Sequence, residues 1–412
     1  MNAAADENGR RVLIVGGGVA GVEALLALSD LAAGRAEITM LSPEPDFVYK
    51  PLLVEEPFDL GPPEQHALAP LAGELGAAFE LHALARVAAE EHSVELDDGS
   101  RLDYDFLVVC LGGRPRPVLK EATTFPSGRE MLRIDSVIDR ASEAGGRIAF
   151  VVPTGVSWPL PIYEIALMTQ RRAADRGLGE LKLTLVTREQ SPLAVFGPAA
   201  SDAVGELLAA RGIEVEAGSH AHEEQGRLIL TPGDRRLEAA EVIALPTMEG
   251  PGIPGLPGDE EGFIPIDEHA RVIGADDVYA AGDGTNFPIK QGGIATQQAD
   301  AAASDIAHRL GATTESEPFH PVLRGKLLTG SDSIDLRADV AGGGGEGEAS
   351  PDRLWWPPHK ISGRYLAPWL YRSEPSEEPE PPGLTLDVEV ALPREWHSDP
   401  MAIDPDGPPR VD

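Results

Sequence analysis

The sequence predicts an α/β protein made of two Rossmann-like dinucleotide-binding domains, the first discontinuous with the second inserted in it, and a C-terminal extension. Three observations predict it. A strand, a glycine-rich turn, a helix and a second strand follow one another within residues 11–42. Far downstream, at 278–283, another strand ends in Gly-Asp and leads into a helix rich in Ala and Gln. Between them, residues 147–246 alternate apolar strand runs with helical stretches, the order of a parallel sheet.

The chain has 412 residues, enough for more than one domain. Its 68 acidic and 34 basic side chains give a net charge of −34, which repels phosphate backbones and argues against nucleic-acid binding. A single cysteine, Cys110, excludes an intramolecular disulfide or a Cys-x-x-Cys redox pair. Ten scattered histidines beside it offer no metal-ligand spacing, so no metal is expected. No secretory signal and no apolar run of about 20 residues stands out, so a cytoplasmic location is expected.

The first unit reads "RVLIVGGGVAGVEALLALSDLAAGRAEITMLS". Gly16, Gly18 and Gly21 form G-x-G-x-x-G directly after an apolar strand. The first glycine makes the tight turn, the second lets the backbone approach a pyrophosphate, and the third lets helix and strand pack closely. The helix N-terminus then offers N–H groups and a positive dipole end to the phosphates. At the end of the next strand, Ser42 has the place of the ribose-binding acid without its charge, and Glu44 has the charge two residues on.

In "VYAAGDGTNFPIKQGGIATQQADAAASDIAHRL", residues 278–310, Gly282-Asp283 closes a strand and a helix starts near Ile294. Gly292 and Gly293 permit close backbone approach, and Lys290 places a cation just before the helix. The strand of "YDFLVVCLGGRPRP" ends at Gly112-Gly113, which makes Cys110 a small core residue rather than a nucleophile.

These segments together resemble the FAD-dependent pyridine nucleotide-disulfide oxidoreductase superfamily, over roughly residues 10–330. The branch they resemble is that of type II NADH dehydrogenases and sulfide:quinone reductases. "DFVYKPLLVEEPF" at 46–58 is similar to the segment that crosses FAD there. "WPLP", "KQGG" and "PVLRG" resemble stretches of uncharacterised bacterial FAD-dependent oxidoreductases. The resemblance implies non-covalent FAD, with Asp283 at the ribityl and pyrophosphate region and Lys50 at a phosphate or the flavin. It implies that the helix start at Gly293 and Ile294 faces the flavin pyrimidine ring, where it and Lys290 stabilise the reduced, anionic ring. Gln297 and Gln298 match a glutamine pair in quinone-reducing relatives, which makes Gln298 with Lys290 the candidate catalytic pair.

The second unit departs from that pattern. In NADH-using relatives its loop resembles Gly-x-Gly-Pro-Thr-Gly-Val-Glu. Here it reads "FVVPTGVS": only Gly155 remains, and Phe150 and Val152 put side chains where a pyrophosphate would lie. Pro159 and Pro161 follow and donate no N–H. The loop therefore argues against NAD(P)H binding, and Arg188 beyond the next strand reads either as a solvated arginine or as a partner for an NADP phosphate.

The expected boundaries are 10–117 and 251–335 for the FAD domain, 118–250 for the degenerate domain, 336–372 for a linker and aromatic-basic segment, and 373–412 for an acidic, disordered tail with a strand within 384–392. Residues 341–351 read as a flexible linker. Residues 352–372 carry three tryptophans with Lys and Arg, a composition suited either to peripheral contact with a bilayer or to folding back over the flavin domain. The expected function is an FAD oxidoreductase with an unknown donor and a quinone as candidate acceptor. The alternatives are an NAD(P)H-dependent reductase and a non-catalytic flavin-bearing interaction protein.

Overall fold

The computed structural model describes residues 9–126, 132–338 and 347–373. The expectations for the acidic tail, and for the glycine-rich stretch up to residue 346, lie outside the described residues.

Along the chain, strand β1 (Arg10–Val15) leads into helix α1 (Val19–Leu31), followed by β2 (Ala36–Leu41), β3 (Ala78–Glu80) and β4 (Phe106–Val109). Next come β5 (Thr123–Thr124), α2 (Ile134–Glu143), β6 (Arg147–Val151), α3 (Leu160–Asp175), β7 (Lys182–Val186), α4 (Pro198–Ala210), β8 (Ile213–Glu216) and β9 (Glu241–Ala244). The chain then forms β10 (Val278–Ala280), α5 (Gly292–Arg309), β11 (Leu323–Leu328), β12 (Ser333–Ala338), β13 (Glu348–Ser350) and α6 (Leu366–Ser373).

Two five-stranded parallel sheets result. The first has the order β10-β4-β1-β2-β3, so the chain leaves its central strand β1 in one direction and returns on its other side. The second has the order β5-β9-β6-β7-β8, with β6 in the corresponding position. In such sheets the crevice for a ligand opens at the carboxyl end of the strand where the order reverses. That places one crevice after Val15 and the other after Val151. The central strands are apolar along most of their length because helices or loops cover both sheet faces, and Ile14, Leu107, Phe150 and Leu185 are fully buried.

An antiparallel sheet, β11-β12-β13, packs against α3 and α4 and shares the hydrophobic core of the second unit through Leu323, Leu327 and Leu336. This corrects the linker reading of residues 341–351 at its end, because Glu348–Ser350 pairs with Asp335–Arg337. Of the two readings of the aromatic-basic segment, the structure shows the fold-back over the protein. Trp355, Ile361 and Leu366 are buried, and Ile361, Leu366 and Leu370 belong to the core of the first sheet. The segment folds back over the protein, so its apolar side chains face the interior rather than a bilayer. Among the described residues no helix is long and apolar enough to cross a membrane.

Candidate functional site: an open and a closed crevice

The turn after β1 shows three different reasons for glycine. Gly16 has φ +113°, and a Cβ there would stand 2.5 Å from the Cys110 carbonyl oxygen. A Cβ on Gly21 would fall on the carbonyl of Gly16, and one on Gly17 would overlap Leu68. A Cβ on Gly18 would meet nothing within 4 Å. Gly18 is also the N-cap of α1, with no side-chain cap, so the first-turn N–H groups face the same open space. Gly112, beyond β4, shares that openness, and β4 pairs directly with β1. Bare backbone donors beside clear space are what a pyrophosphate needs, so the residues present fit FAD.

The β10 turn completes this crevice. Gly282 has φ +92° and packs on Ala20 of α1. The Asp283 carboxyl has no hydrogen-bond partner among the described residues. Burial raises its pKa, against the opposing pull of Lys290 and Lys50. A half-buried carboxylate without a donor is suited to accept from ligand hydroxyls.

Several expected roles move. The carboxamide of Gln298 is fully buried: its Oε1 accepts from Gly282 N at 2.8 Å and its Nε2 donates to Thr285 Oγ1 at 3.2 Å. Gln298 therefore shapes the Gly282–Thr285 turn. Ile294 does not offer its N–H, which goes to the Gln291 Oε1 at 2.8 Å. Gln291 caps α5, while its own amide donates to Arg324 O at 2.9 Å. The positions left to present N–H groups are Gly292 and Gly293. Lys290 donates to the carbonyls of Thr285 and Phe287 and stands 3.7 Å from the centre of the Phe263 ring. Burial lowers its pKa to about 8, opposed by Asp283 and Asp259. Lys50 is exposed at the start of a 3-10 helix, Lys50–Val54. Glu44 is turned outward by Ser42, whose hydroxyl donates to Glu44 O at 2.9 Å and accepts from Glu44 N at 3.1 Å.

The second crevice is filled. Phe150, Val152, Val156 and Leu160 are buried in the core around the loop after β6. Pro159 is the N-cap of α3 and Pro161 stands in its first turn. Three residues past β7, where an acid for a ribose is looked for, the chain places Glu189. Its carboxylate is 1% exposed and accepts from Tyr163 Oη (2.7 Å), Thr187 Oγ1 (3.0 Å) and Ala194 N (3.1 Å). Sequence reasoning points to Arg188 and misses Glu189, although an acid just past the strand is the available signal. It also misses Glu164, fully buried on α3 and paired with Lys360 at 2.7 Å. Of possible metal sites, His82, Asp97 and Asp98 cluster at the surface, where such groups commonly stand without an ion.

The sequence pattern of the pyridine nucleotide-disulphide oxidoreductases matches residues 3–138 and 164–303, more than half of the chain. The unmatched stretch between them contains β6 and the filled loop. The chain is 23% identical over 347 residues to the alternative NAD(P)H-ubiquinone oxidoreductase C1 of Arabidopsis thaliana, covering 72% of this chain and 65% of that protein's length. The sulfide:quinone oxidoreductase of Aquifex aeolicus shares the fold with a TM-score of 0.72 at 20% identity, over 80% of this chain and 83% of that one. A NAD-dependent persulfide reductase from A. fulgidus matches with a TM-score of 0.57 at 17% identity, over 79% of this chain and 64% of that one. A match of this extent, on the glycine turns and paired sheets described above, makes the chain a member of the pyridine nucleotide-disulphide oxidoreductase family, whose cofactor is FAD.

Proposed function

We propose that the protein is an FAD-dependent oxidoreductase that takes electrons from a donor other than NAD(P)H and delivers them to a small-molecule acceptor of the quinone class. The observation that carries this reading is the contrast between the two crevices. One presents bare backbone donors beside Gly18 and Gly112. The other is packed with Phe150, Val152 and Val156, and its acid, Glu189, is engaged inside the protein. The quinone comes from the names of two relatives, the A. thaliana and A. aeolicus proteins.

FAD, when bound, supplies two-electron chemistry at its flavin ring. The chain's residues supply the rest. The N-terminus of α1 would hold the pyrophosphate, and Asp283 would accept from the ribityl hydroxyls. Gly292 and Gly293 would bring the α5 N-terminus to the ring, where its dipole favours negative charge. Lys290 adds a cation near Asp283 and is itself held in place by the carbonyls of Thr285 and Phe287. Cys110 supports a reaction that does not use thiols. It is the single cysteine, and burial pushes its thiol up to about 12, far from the reactive range.

A second reading, an NAD(P)H-dependent reductase, is favoured by the name of the A. thaliana relative. Anaerobic titration of the purified yellow protein separates the two readings through the oxidised flavin band near about 450 nm. The expected result is full bleaching by dithionite and none by NADH or NADPH. Rapid bleaching by either nicotinamide overturns the proposed donor class, and a colourless protein that takes up no FAD overturns the flavin reading.

A further inference from the structure

The C-terminal segment touches the crevice at one point. Lys360, with a side chain 9% exposed, donates to Pro51 O at 3.0 Å and to Glu164 Oε2 at 2.7 Å. Glu164 is fully buried on α3 and its other oxygen accepts from Leu328 N at 3.0 Å. The next residue, Ile361, donates its N–H to Tyr49 Oη at 2.8 Å. Its side chain lies so close to Gly292 that a Cβ there would overlap it. Two consecutive residues thus hold the 49–51 stretch, the start of α5 and helix α3.

We propose that Lys360 is a positioning residue for the flavin crevice, fixing the Pro51 carbonyl and, through Ile361, the spacing between residues 49–51 and the N-terminus of α5. The proposal rests on the flavin reading above and adds to it a residue from outside the two nucleotide-binding units. The chemistry explains the residue type. Only a long cation spans the seam and serves a carbonyl and a carboxylate at once, and the buried Glu164 fixes where its head group lies. The segment that carries it is itself anchored. Trp355 Nε1 donates to His359 O at 3.0 Å, and Lys326 donates to the carbonyl of Pro358 at 2.5 Å. Lys360 therefore has a fixed origin from which to place Pro51.

Removing Lys360 alone would leave Glu164 buried and unpaired, so the test uses a neutral pair. In E164Q/K360M the buried ion pair is removed, the half-buried Glu55 stays as the neighbouring acid, and the carboxamide oxygen introduced on α3 still accepts from Leu328 N–H. In E164Q alone Lys360 keeps its bond to Pro51. FAD dissociation constants, flavin absorption spectra and flavin reduction midpoints are measured for wild type, E164Q, E164Q/K360M and K360R. K360R is expected to behave as wild type, and E164Q to fall between wild type and the paired variant, because its amide nitrogen faces the Lys360 ammonium while Lys360 keeps its bond to Pro51. The paired variant is expected to bind FAD about tenfold more weakly, the loss of one buried hydrogen bond, with a shifted spectrum and midpoint. A paired variant that matches E164Q in all three readouts overturns the proposal, even if its melting temperature falls, because a purely structural seam would move stability alone. Ile361→Ala, which keeps the ion pair, is a second probe: it too is expected to shift the flavin spectrum, and an unchanged spectrum there counts against the proposal. If the wild-type chain binds no FAD, the flavin reading fails, and this proposal with it.

Discussion

Gly18 and Gly21 belong to one motif, yet the structure assigns them opposite physics. Gly18 has φ −86° and ψ −168°, extended backbone open to any residue, and clear space around it. Gly18→Ala should therefore leave the FAD-free protein within about 0.5 kcal/mol of wild type, while a methyl group intrudes where phosphates approach. FAD affinity should fall about tenfold or more. Gly21→Ala pushes a methyl onto the Gly16 carbonyl and should cost about 3 kcal/mol even without ligand. Calorimetric unfolding with and without FAD reads both effects. A Gly18→Ala protein with unaltered FAD affinity would show that the clear space is not the phosphate site. The tight turn at Gly16 and the close packing at Gly21 were legible in the sequence because each is fixed by the turn it sits in. The roles of Lys290 and Gln298 were not. Phe263 and Gly282 decide them, and those residues come alongside only when the chain folds.

At the scale of elements, parallel strands were legible and the second strand of the antiparallel sheet was not. Strands buried on both faces read as continuous apolar runs, as in β4 and β7. β12, "SIDLRA", carries two charged residues, and its Asp335 is fully buried, accepting from Leu354 N at 3.1 Å and facing Arg353 at 3.6 Å. A charged interior leaves no alternation to read. The filling of the second crevice was legible in the lost glycines, whereas its locking by Tyr163 and Glu189 depends on α3 and β7 packing side by side. Tyr163 stays protonated, its pKa pushed well up by burial and then by the Glu189 carboxylate it donates to. Tyr163→Phe removes that donor and leaves a buried carboxylate short of one bond, a cost of about 1–3 kcal/mol. Urea unfolding measures it. The variant should still show no flavin bleaching by NADH, since Phe150 and Val152 continue to fill the loop. Bleaching in Tyr163→Phe would show that the tyrosine alone shuts the crevice.

At the scale of the whole molecule, the C-terminal helix is fastened to the first nucleotide-binding unit by a buried acid. Glu23, fully buried on α1, accepts from Tyr365 N at 2.8 Å and Leu366 N at 2.7 Å, at the start of α6. It lies against Asp300 of α5, whose Oδ1 has no hydrogen-bond partner. Around them stand Arg364, paired with Glu317 at 3.1 Å, and Tyr365, which donates to Asp30 at 3.3 Å. Two carboxyl groups this close cannot both ionise cheaply. Burial raises Glu23 from 4.5 to about 7, against the N–H bonds that favour its charge, and burial with the neighbouring Glu23 raises Asp300 well above its ordinary value. Because Glu23 accepts two backbone bonds, it is the first of the two to ionise, and Asp300 keeps its proton beyond it. A carboxyl raised on folding stabilises fully below its unfolded value and loses that contribution as pH climbs to the folded one. For Glu23 the window is thus from about 4.5 to about 7, with a loss on the order of 3 kcal/mol across it, and Asp300, raised well above its ordinary value, adds a second loss of its own as pH climbs. Asp300→Asn fixes a neutral donor beside Glu23. It should match wild type at the acid end of the window and exceed it at neutral pH, with a flatter profile of urea midpoint against pH. Parallel profiles for the two proteins would mean that the pair shares no proton, and that the docking of α6 rests on its apolar contacts alone.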